Sequence, residues 1–135
     1  MMRKKIHALT LALSLAAIML PAQAAPARED LVIGQVAPLT GTIARTGNEY
    51  VAGGAAYFAH VNESGGIHGR KIRVALKDDS YKPDQTLALT RQMLAEDKPL
   101  ALFGFVGTGN VPALNKNRML EDAGIALLAP EGPSA

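Results

Sequence analysis

The apolar positions of residues 31–129 form four short runs, and the three stretches between them carry apolar residues at helical spacing. Short runs that are rich in β-branched residues predict buried strands, whereas apolar residues three or four positions apart predict helices that pack through one face. The predicted strands are 31–36, 71–77, 100–106 and 125–129. The predicted helices begin near residues 46, 83 and 111, and the first and third of them end near residues 63 and 123.

Local signals at the helix ends support these boundaries. Thr46 and Glu49 have the spacing of a capping box, in which the two side chains satisfy the first free amides of a helix. Pro83 suits the first turn of the second helix, and Gly124 suits the end of the third. The resulting order, βαβαβαβ, predicts an α/β protein with a parallel sheet that helices cover on both faces.

The loops that follow the strands are the expected place for a ligand. Right-handed crossovers bring every such loop to one edge of a parallel sheet, and ligands of open α/β sheets bind outside the carboxyl ends of the strands. The four loops are 38–47, 78–83, 107–110 and 130–135.

Residues 1–24 have the pattern of a secretory signal peptide and are set apart from the fold. Three basic residues at positions 3–5 precede an apolar run, 8–20, that falls well short of the ~20 residues needed to span a bilayer. Ala22-Gln23-Ala24 then supplies the small residues that a signal peptidase requires, so cleavage is predicted between Ala24 and Ala25. The chain contains no cysteine, which excludes a lipid-anchored form.

Composition excludes several classes of function. The whole chain has a net charge of +2, but residues 1–24 hold three of its 14 basic residues and none of its 12 acidic ones, which leaves −1 on the remainder. A nucleic-acid-binding surface needs clustered basic residues, so no nucleic-acid partner is expected. Without cysteine there are no disulfide bonds, and a hydrophobic core must supply the stability of an exported domain.

A glycine-rich turn, residues 104–109, follows the predicted third strand. Its order, G-x-x-G-x-G, is not that of a dinucleotide-binding loop, and no Lys-Ser or Lys-Thr follows to make a phosphate-binding loop. Thr108 and Asn110 stand at the amino end of the predicted third helix, where free amides and the helix dipole favour an anion such as a carboxylate. An equally weighted interpretation is that Asn110 only caps that helix and the glycines only form the turn.

Asp78 and Asp79, at the end of the second strand, are the other candidates for chemistry. They have the composition of an acidic pair for a metal or for proton transfer, but nothing else in the sequence completes a metal shell. We therefore favour one solvated carboxylate and one that accepts hydrogen bonds from loop amides. His60 and His68 lack a third ligand at metal-site spacing and are expected at the surface. With no nucleophile motif either, we expect neither an enzyme nor a cofactor.

Four segments of the chain resemble the branched-chain amino-acid-binding receptors of ABC transporters. The match extends from about residue 31 to the end of the chain, and several ordered motifs at family spacing are far more specific than one glycine string. The segments are IGQVAPLTG at 33–41, VNESGGIHGRKI at 61–72, DDSYKP at 78–83 and FGFVGT at 103–108.

The resemblance implies a type I periplasmic binding fold, in which two α/β lobes hold a ligand in the cleft between them. Such proteins bind amino acids or similar small polar solutes in the periplasm without chemistry, act as monomers and pass the solute to a membrane permease. Two alternatives stay open. One is a ligand-sensing lobe of a regulatory or receptor protein, and the other is a secreted enzyme with a Rossmann-like half, which the missing catalytic motifs disfavour.

The resemblance also implies a set of ligand-binding residues. The loops after the third and fourth strands and the loop before the first helix hold the ligand's carboxylate and ammonium in this family. The positions that match are Thr108 with Gly109 and Asn110 beside it, Thr46, Glu131 and Ser134, with Tyr81 at the periphery. The Thr108 turn suits the carboxylate and Glu131 suits the ammonium, although the fourth loop departs from the pattern of small residues that the family has there.

The resemblance covers only the beginning of such a receptor. Residues 25–135 correspond to the amino-terminal part of the first lobe, and the second lobe is absent from this sequence. A cleft with one wall leaves a bound ligand half solvated. We therefore expect this polypeptide to be marginally stable by itself and to bind weakly.

Overall fold

A computed structural model describes residues 29–132 of the chain. The predicted signal peptide and its cleavage position lie outside the described residues, as does Ser134. The strands are β1 (Leu31–Ala37), β2 (Ile72–Asp78), β3 (Ala101–Phe103) and β4 (Leu127–Leu128). The helices are α1 (Ala44–Glu63), α2 (Pro83–Glu96), α3 (Asn110–Lys116) and α4 (Met119–Ala123).

The four strands form one sheet in the order β2-β1-β3-β4, and every pair is parallel. This confirms the predicted α/β class. The parallel pairing follows from the helical crossovers between successive strands, which return the chain to the same end of the sheet.

The two faces of the sheet pack against different helices. Gly34 of β1 faces α2, because a Cβ at that position would lie 2.4 Å from Sδ of Met93. On the other face α1 approaches the sheet closely at Gly54, where a Cβ would lie 2.8 Å from the ring of Phe103. The buried apolar cluster belongs to the α2 side and consists of Val36, Ala75, Met93, Leu102, Phe105, Val111, Leu114 and Met119.

The start of α1 differs from the prediction. The helix begins at Ala44 with Ile43 as its N-cap and has no side-chain capping bond, so the capping box at Thr46 and Glu49 is wrong. Tertiary packing determines this start, because Gly47 lies against the loop after β1 and a Cβ there would be 2.1 Å from the carbonyl oxygen of Pro38. Thr46 instead lies exposed in the first turn.

The predicted third helix is two helices. Arg118 has left-handed backbone (φ 53°) and separates α3 from α4, while its guanidinium pairs with Glu121 and Asp122 of α4. Gly124 is also left-handed (φ 61°) and ends α4 as predicted. Sequence spacing alone does not show this break, because the apolar positions continue at helical intervals across it.

The third and fourth strands are shorter than predicted. The regular part of β3 is Ala101–Phe103, because Gly104 adopts φ 63° and turns the chain out of the ladder. Pairing resumes briefly as an isolated parallel bridge between Val106 and Glu131. The fourth strand begins at Leu127 rather than at residue 125.

Candidate functional site

The strand order creates a crevice at the carboxyl edge of the sheet. β1 has β2 on one side and β3 on the other, so the crossovers from β1 and from β2 run in opposite directions. The loops after β1 and β3 therefore diverge, and in open α/β sheets ligands bind where they do so. The two loops are residues 38–43 and 104–109.

The turn at 107–109 presents donors at this crevice. Gly107 has φ 134°, a conformation that other residues rarely adopt, and Thr108 and Gly109 after it are exposed. Among the hydrogen bonds of residues 29–132, none takes up the backbone amides of Thr108 and Gly109. The turn therefore offers two backbone donors and one hydroxyl to an incoming acceptor.

Glu131 lies beside this turn, as the sequence predicted. The amide of Gly107 donates to the carbonyl oxygen of Glu131 at 2.9 Å, and the amide of Glu131 donates to the carbonyl oxygen of Phe105 at 2.8 Å. Glu131 is exposed, so its carboxylate is free to approach a ligand from the fourth loop. The fold thus brings Thr108, Gly109 and Glu131 together at one edge.

Asn110 takes a different place from the one predicted. It is the first residue of α3, whose N-cap is Gly109, so its predicted role as a cap is wrong. Its side chain is 1% exposed and turns inward, where Nδ2 donates to Oδ2 of Asp79 at 2.9 Å and to Oγ1 of Thr86 at 2.8 Å. The Asn110 side chain therefore supports the turn from below and is not itself presented to the crevice.

The two adjacent aspartates both hold loops, and neither is simply solvated as we expected for one of them. Asp79 is fully buried, accepts the amide of Tyr81 at 3.0 Å through Oδ1, and accepts the hydroxyl of Thr86 at 2.5 Å through Oδ2. These bonds, with that from Asn110, satisfy a carboxylate that is costly to bury without donors.

Asp78 fastens the loop after β1 to the loop after β2. Its Oδ1 accepts the amides of Leu39 at 2.9 Å and Ser80 at 2.8 Å, and its Oδ2 accepts the hydroxyl of Thr40 at 2.6 Å. Burial raises the pKa of the Asp78 carboxyl, but the hydrogen bonds from Thr40 and from the loop amides outweigh it and leave the pKa below its ordinary value.

Tyr81 lies closer to the site than the peripheral position suggested by the sequence. Ser80 and Tyr81 both have left-handed backbone, with φ of 49° and 63°, in a turn closed by the amide of Lys82 donating to the carbonyl oxygen of Asp79 at 2.9 Å. The turn directs the phenol toward the crevice, where its oxygen is 3.4 Å from Oγ1 of Thr108.

The first helix contributes one residue that sequence reasoning missed. Tyr50 donates its hydroxyl to the carbonyl oxygen of Ala129 at 2.7 Å, and its ring lies against Gly104. No hydrogen bond within residues 29–132 joins Thr46 to Thr108 or Glu131, although α1 begins at the same edge. Tyr50 is an aromatic residue one helical turn after Thr46, and this spacing could have identified it as a residue of the same edge.

Two pockets of the described part of the chain lie away from the carboxyl edge, and one of them is at the opposite edge around Leu100, Gly124 and Ile125. Residues 29–132 contain no group of three or more His, Asp and Glu residues arranged to hold a metal ion. Within the same residues, no helix is long and apolar enough to cross a membrane.

Comparison with known proteins decides which family has this arrangement. The model of the periplasmic binding protein family matches residues 30–134. The chain belongs to that family. An amino acid binding protein of Pseudomonas aeruginosa is 33% identical over 102 residues, which cover 75% of this chain and 26% of the relative.

Solved structures of family members have the same fold. A substrate-binding periplasmic protein from Ralstonia solanacearum aligns with a TM-score of 0.73 and 40% identity over 75% of this chain and 29% of that one. A branched-chain amino acid transporter substrate-binding protein from Streptococcus pneumoniae, in complex with isoleucine, aligns with a TM-score of 0.71 and 25% identity over 78% of this chain and 30% of that one.

These alignments confirm the type I periplasmic binding fold and the resemblance to branched-chain amino-acid receptors. They also agree with the expectation that the protein is not an enzyme, because the family and these relatives are named as binding proteins. The chain spans between about a quarter and a third of the length of the relatives it matches.

Proposed function

We propose that residues 25–135 form the amino-terminal part of the first lobe of a solute receptor that supplies amino acids, or similar small polar solutes, to an ABC uptake transporter. The observation that carries this proposal is the exposed turn at Thr108, with two amides that no described residue takes up, at the switch point of the sheet. Family membership supports a receptor, and the names of the relatives favour an amino acid over other solutes.

The chemistry of the edge suits a zwitterion. A ligand carboxylate needs several donors, and the Thr108 hydroxyl with the amides of Thr108 and Gly109 supplies them. A ligand ammonium needs an acceptor, and the exposed carboxylate of Glu131 stands on the neighbouring loop, which a backbone bridge holds against the turn. In this proposal Thr108 and Glu131 recognise the two ends of the amino-acid headgroup, and Thr46 and Ser134 stay predicted ligand contacts.

The receptor acts in the periplasm as a monomer and docks on an inner-membrane permease. Export depends on residues 1–24, which a signal peptidase removes between Ala24 and Ala25. The intact mass of the protein recovered from a periplasmic extract tests this step. A mature chain that begins at Ala25 supports it, and a chain that retains Met1 contradicts it.

Ligand-observed NMR titration of residues 25–135 with L-isoleucine tests the site. One lobe covers only part of the ligand, so we expect a dissociation constant on the order of 1 mM or weaker. Thr108→Ala should weaken binding about tenfold, because a hydrogen bond to a charged group is worth ~1.5–3 kcal/mol and tenfold corresponds to ~1.4 kcal/mol.

Ser64→Ala is the matched control, since it removes an exposed hydroxyl after the carboxyl end of α1, far along the chain from every loop of the crevice. It should bind as the unaltered chain does. Equal affinities for the Thr108→Ala and unaltered chains would refute the site, and the absence of isoleucine binding by the unaltered chain would refute the proposed ligand.

A further inference from the structure

A buried polar network lies directly beneath the Thr108 turn. It joins Asp79 after β2, Thr86 of α2 and Asn110 of α3, and all three side chains are at most 1% exposed. Within residues 29–132 no basic side chain pairs with Asp79, so its carboxylate is held by hydrogen bonds alone. A network of this kind fixes the relative positions of its three elements, because any misplacement leaves a buried polar atom without a partner.

The same carboxylate also holds a strained turn. Ser80 and Tyr81 are successive left-handed residues, a conformation that side chains disfavour. Such backbone persists only where surrounding contacts determine it, and strain of this kind concentrates at functional sites. Here Oδ1 of Asp79 accepts the Tyr81 amide, while Oδ2 accepts the Thr86 hydroxyl and Nδ2 of Asn110.

The two groups that Asp79 holds both lie against Gly107. A Cβ at Gly107 would lie 2.8 Å from Cε2 of Tyr81 and 2.9 Å from Oδ1 of Asn110. The residue before Thr108 therefore packs against both the Tyr81 ring and the Asn110 amide. The phenol oxygen of Tyr81 lies 3.4 Å from the Thr108 hydroxyl.

We propose that Asp79 is the positioning residue of the ligand site, and that its buried carboxylate fixes Tyr81 and Asn110 against Gly107 so that the hydroxyls of Tyr81 and Thr108 face the ligand together. Asp79 does not touch the ligand and acts through Tyr81 and Thr108. The inference rests on the proposed function, since it takes the Thr108 turn as the ligand contact.

Asp79→Asn tests the proposal with two readouts. The new side-chain amide would oppose Nδ2 of Asn110 and the Thr86 hydroxyl, donor against donor. In the ligand-free chain we expect loss of the nuclear Overhauser effect between the Tyr81 ring and the Thr108 methyl group. In the titration with L-isoleucine we expect binding at least tenfold weaker.

The reciprocal exchange, Asp79→Asn with Asn110→Asp, distinguishes positioning from general stability. It restores a donor facing an acceptor between the two positions, and Asn at 79 keeps an oxygen for the Tyr81 amide. We expect it to recover both the Tyr81–Thr108 contact and isoleucine affinity to within about threefold of the unaltered chain.

Thr86→Val and Thr90→Val form a matched pair of isosteric changes on α2. Both hydroxyls are fully buried, but Thr90 donates only to the carbonyl oxygen of Thr86, one turn earlier in the same helix. Thr86→Val should reproduce the loss of the Tyr81–Thr108 contact, and Thr90→Val should preserve it. This pair of variants tests the positioning role even if the Asp79→Asn chain does not fold.

The proposal is overturned if the Tyr81–Thr108 contact survives in Asp79→Asn or in Thr86→Val, or if the reciprocal exchange fails to restore it. The contact is measured without ligand, so it tests the positioning role by itself. If the unaltered chain shows the contact and its dependence on Asp79 but does not bind isoleucine, the proposed ligand fails and the positioning of the turn stands.

Discussion

The two faces of the sheet are built unequally. On the face toward α2 and α3, Val36, Met93, Leu102 and Phe105 are closed off from solvent. On the face toward α1, Leu128 is 52% exposed. Its register partner on β3 is Phe103. The ring of Phe103 packs edge-on against the ring of Phe58, with the two ring centroids 5.2 Å apart.

This contrast shows where the stability of the chain lies. Removal of apolar surface from water is the main favourable term in folding, and it scales with the area buried. The α2 face holds the large, fully enclosed apolar side chains, so it carries most of this term. The α1 face depends more on close approach at Gly54 and on polar contacts such as that of Tyr50.

The largest expected effect comes from truncating one leucine on each face. Leu102→Ala removes a fully buried side chain from the enclosed face and should lower the free energy of unfolding by about 3 kcal/mol. Leu128→Ala, on the neighbouring strand and the α1 face, should lower the free energy of unfolding by less than about 1 kcal/mol, because that side chain is already half exposed to solvent. Urea unfolding of both variants measures the difference. Equal losses of unfolding free energy in the two variants would contradict the contrast between the two faces of the sheet.

A methyl group added to the enclosed face of the sheet and one added to the exposed side of α1 should have effects of opposite sign. Gly34→Ala places a Cβ 2.4 Å from Sδ of Met93 and 2.8 Å from Cδ2 of Leu102, so overpacking should lower the free energy of unfolding by about 2 kcal/mol. Gly53 is exposed in α1, and a Cβ there would have no atom outside the backbone of α1 within 4 Å, so the better helix propensity of Ala should raise the free energy of unfolding by about 1 kcal/mol. Thermal unfolding compares the two variants, and destabilisation by Gly53→Ala would contradict the exposure of this side of α1.

The smallest effect concerns the polar contacts of the carboxyl edge. Because the pKa of Asp78 is lower in the folded chain, its carboxylate stabilises the fold above its ordinary pKa, and that contribution disappears as the pH falls through the lowered value. Asp78→Asn should lower the free energy of unfolding by about 1 kcal/mol at pH 7. It should also reduce the loss of stability as the pH falls into the acid range. Urea unfolding at a series of pH values tests this, and an unchanged pH dependence in the variant would contradict it.

The alternation of strands and helices and the parallel sheet were predictable because they rest on local patterns. Continuous apolar runs alternate along the sequence with stretches of helical spacing, and the loops after parallel strands share one edge of the sheet whatever the details of packing. The glycine turn before Thr108 could therefore be placed at the carboxyl edge, whereas its role as a ligand contact stays a prediction. The motif DDSYKP likewise marked the end of β2.

The errors arose where distant residues decide local structure. Asn110 turns inward because Asp79 and Thr86, 31 and 24 positions away, accept hydrogen bonds from its side chain, whereas spacing alone left a helix cap and a ligand contact equally weighted. The first helix starts before Thr46 because Gly47 packs against the carbonyl of Pro38. Neither contact is visible from a window of neighbouring residues, so neither was predicted.

Amide chemical-shift mapping of residues 25–135 during titration with L-isoleucine locates the ligand site on the fold. We expect the largest shifts at Gly107, Thr108, Gly109 and Glu131, at the carboxyl edge of the sheet. Shifts concentrated instead around Leu100 and Ile125, at the opposite edge, would contradict this expectation, as would the absence of any shift.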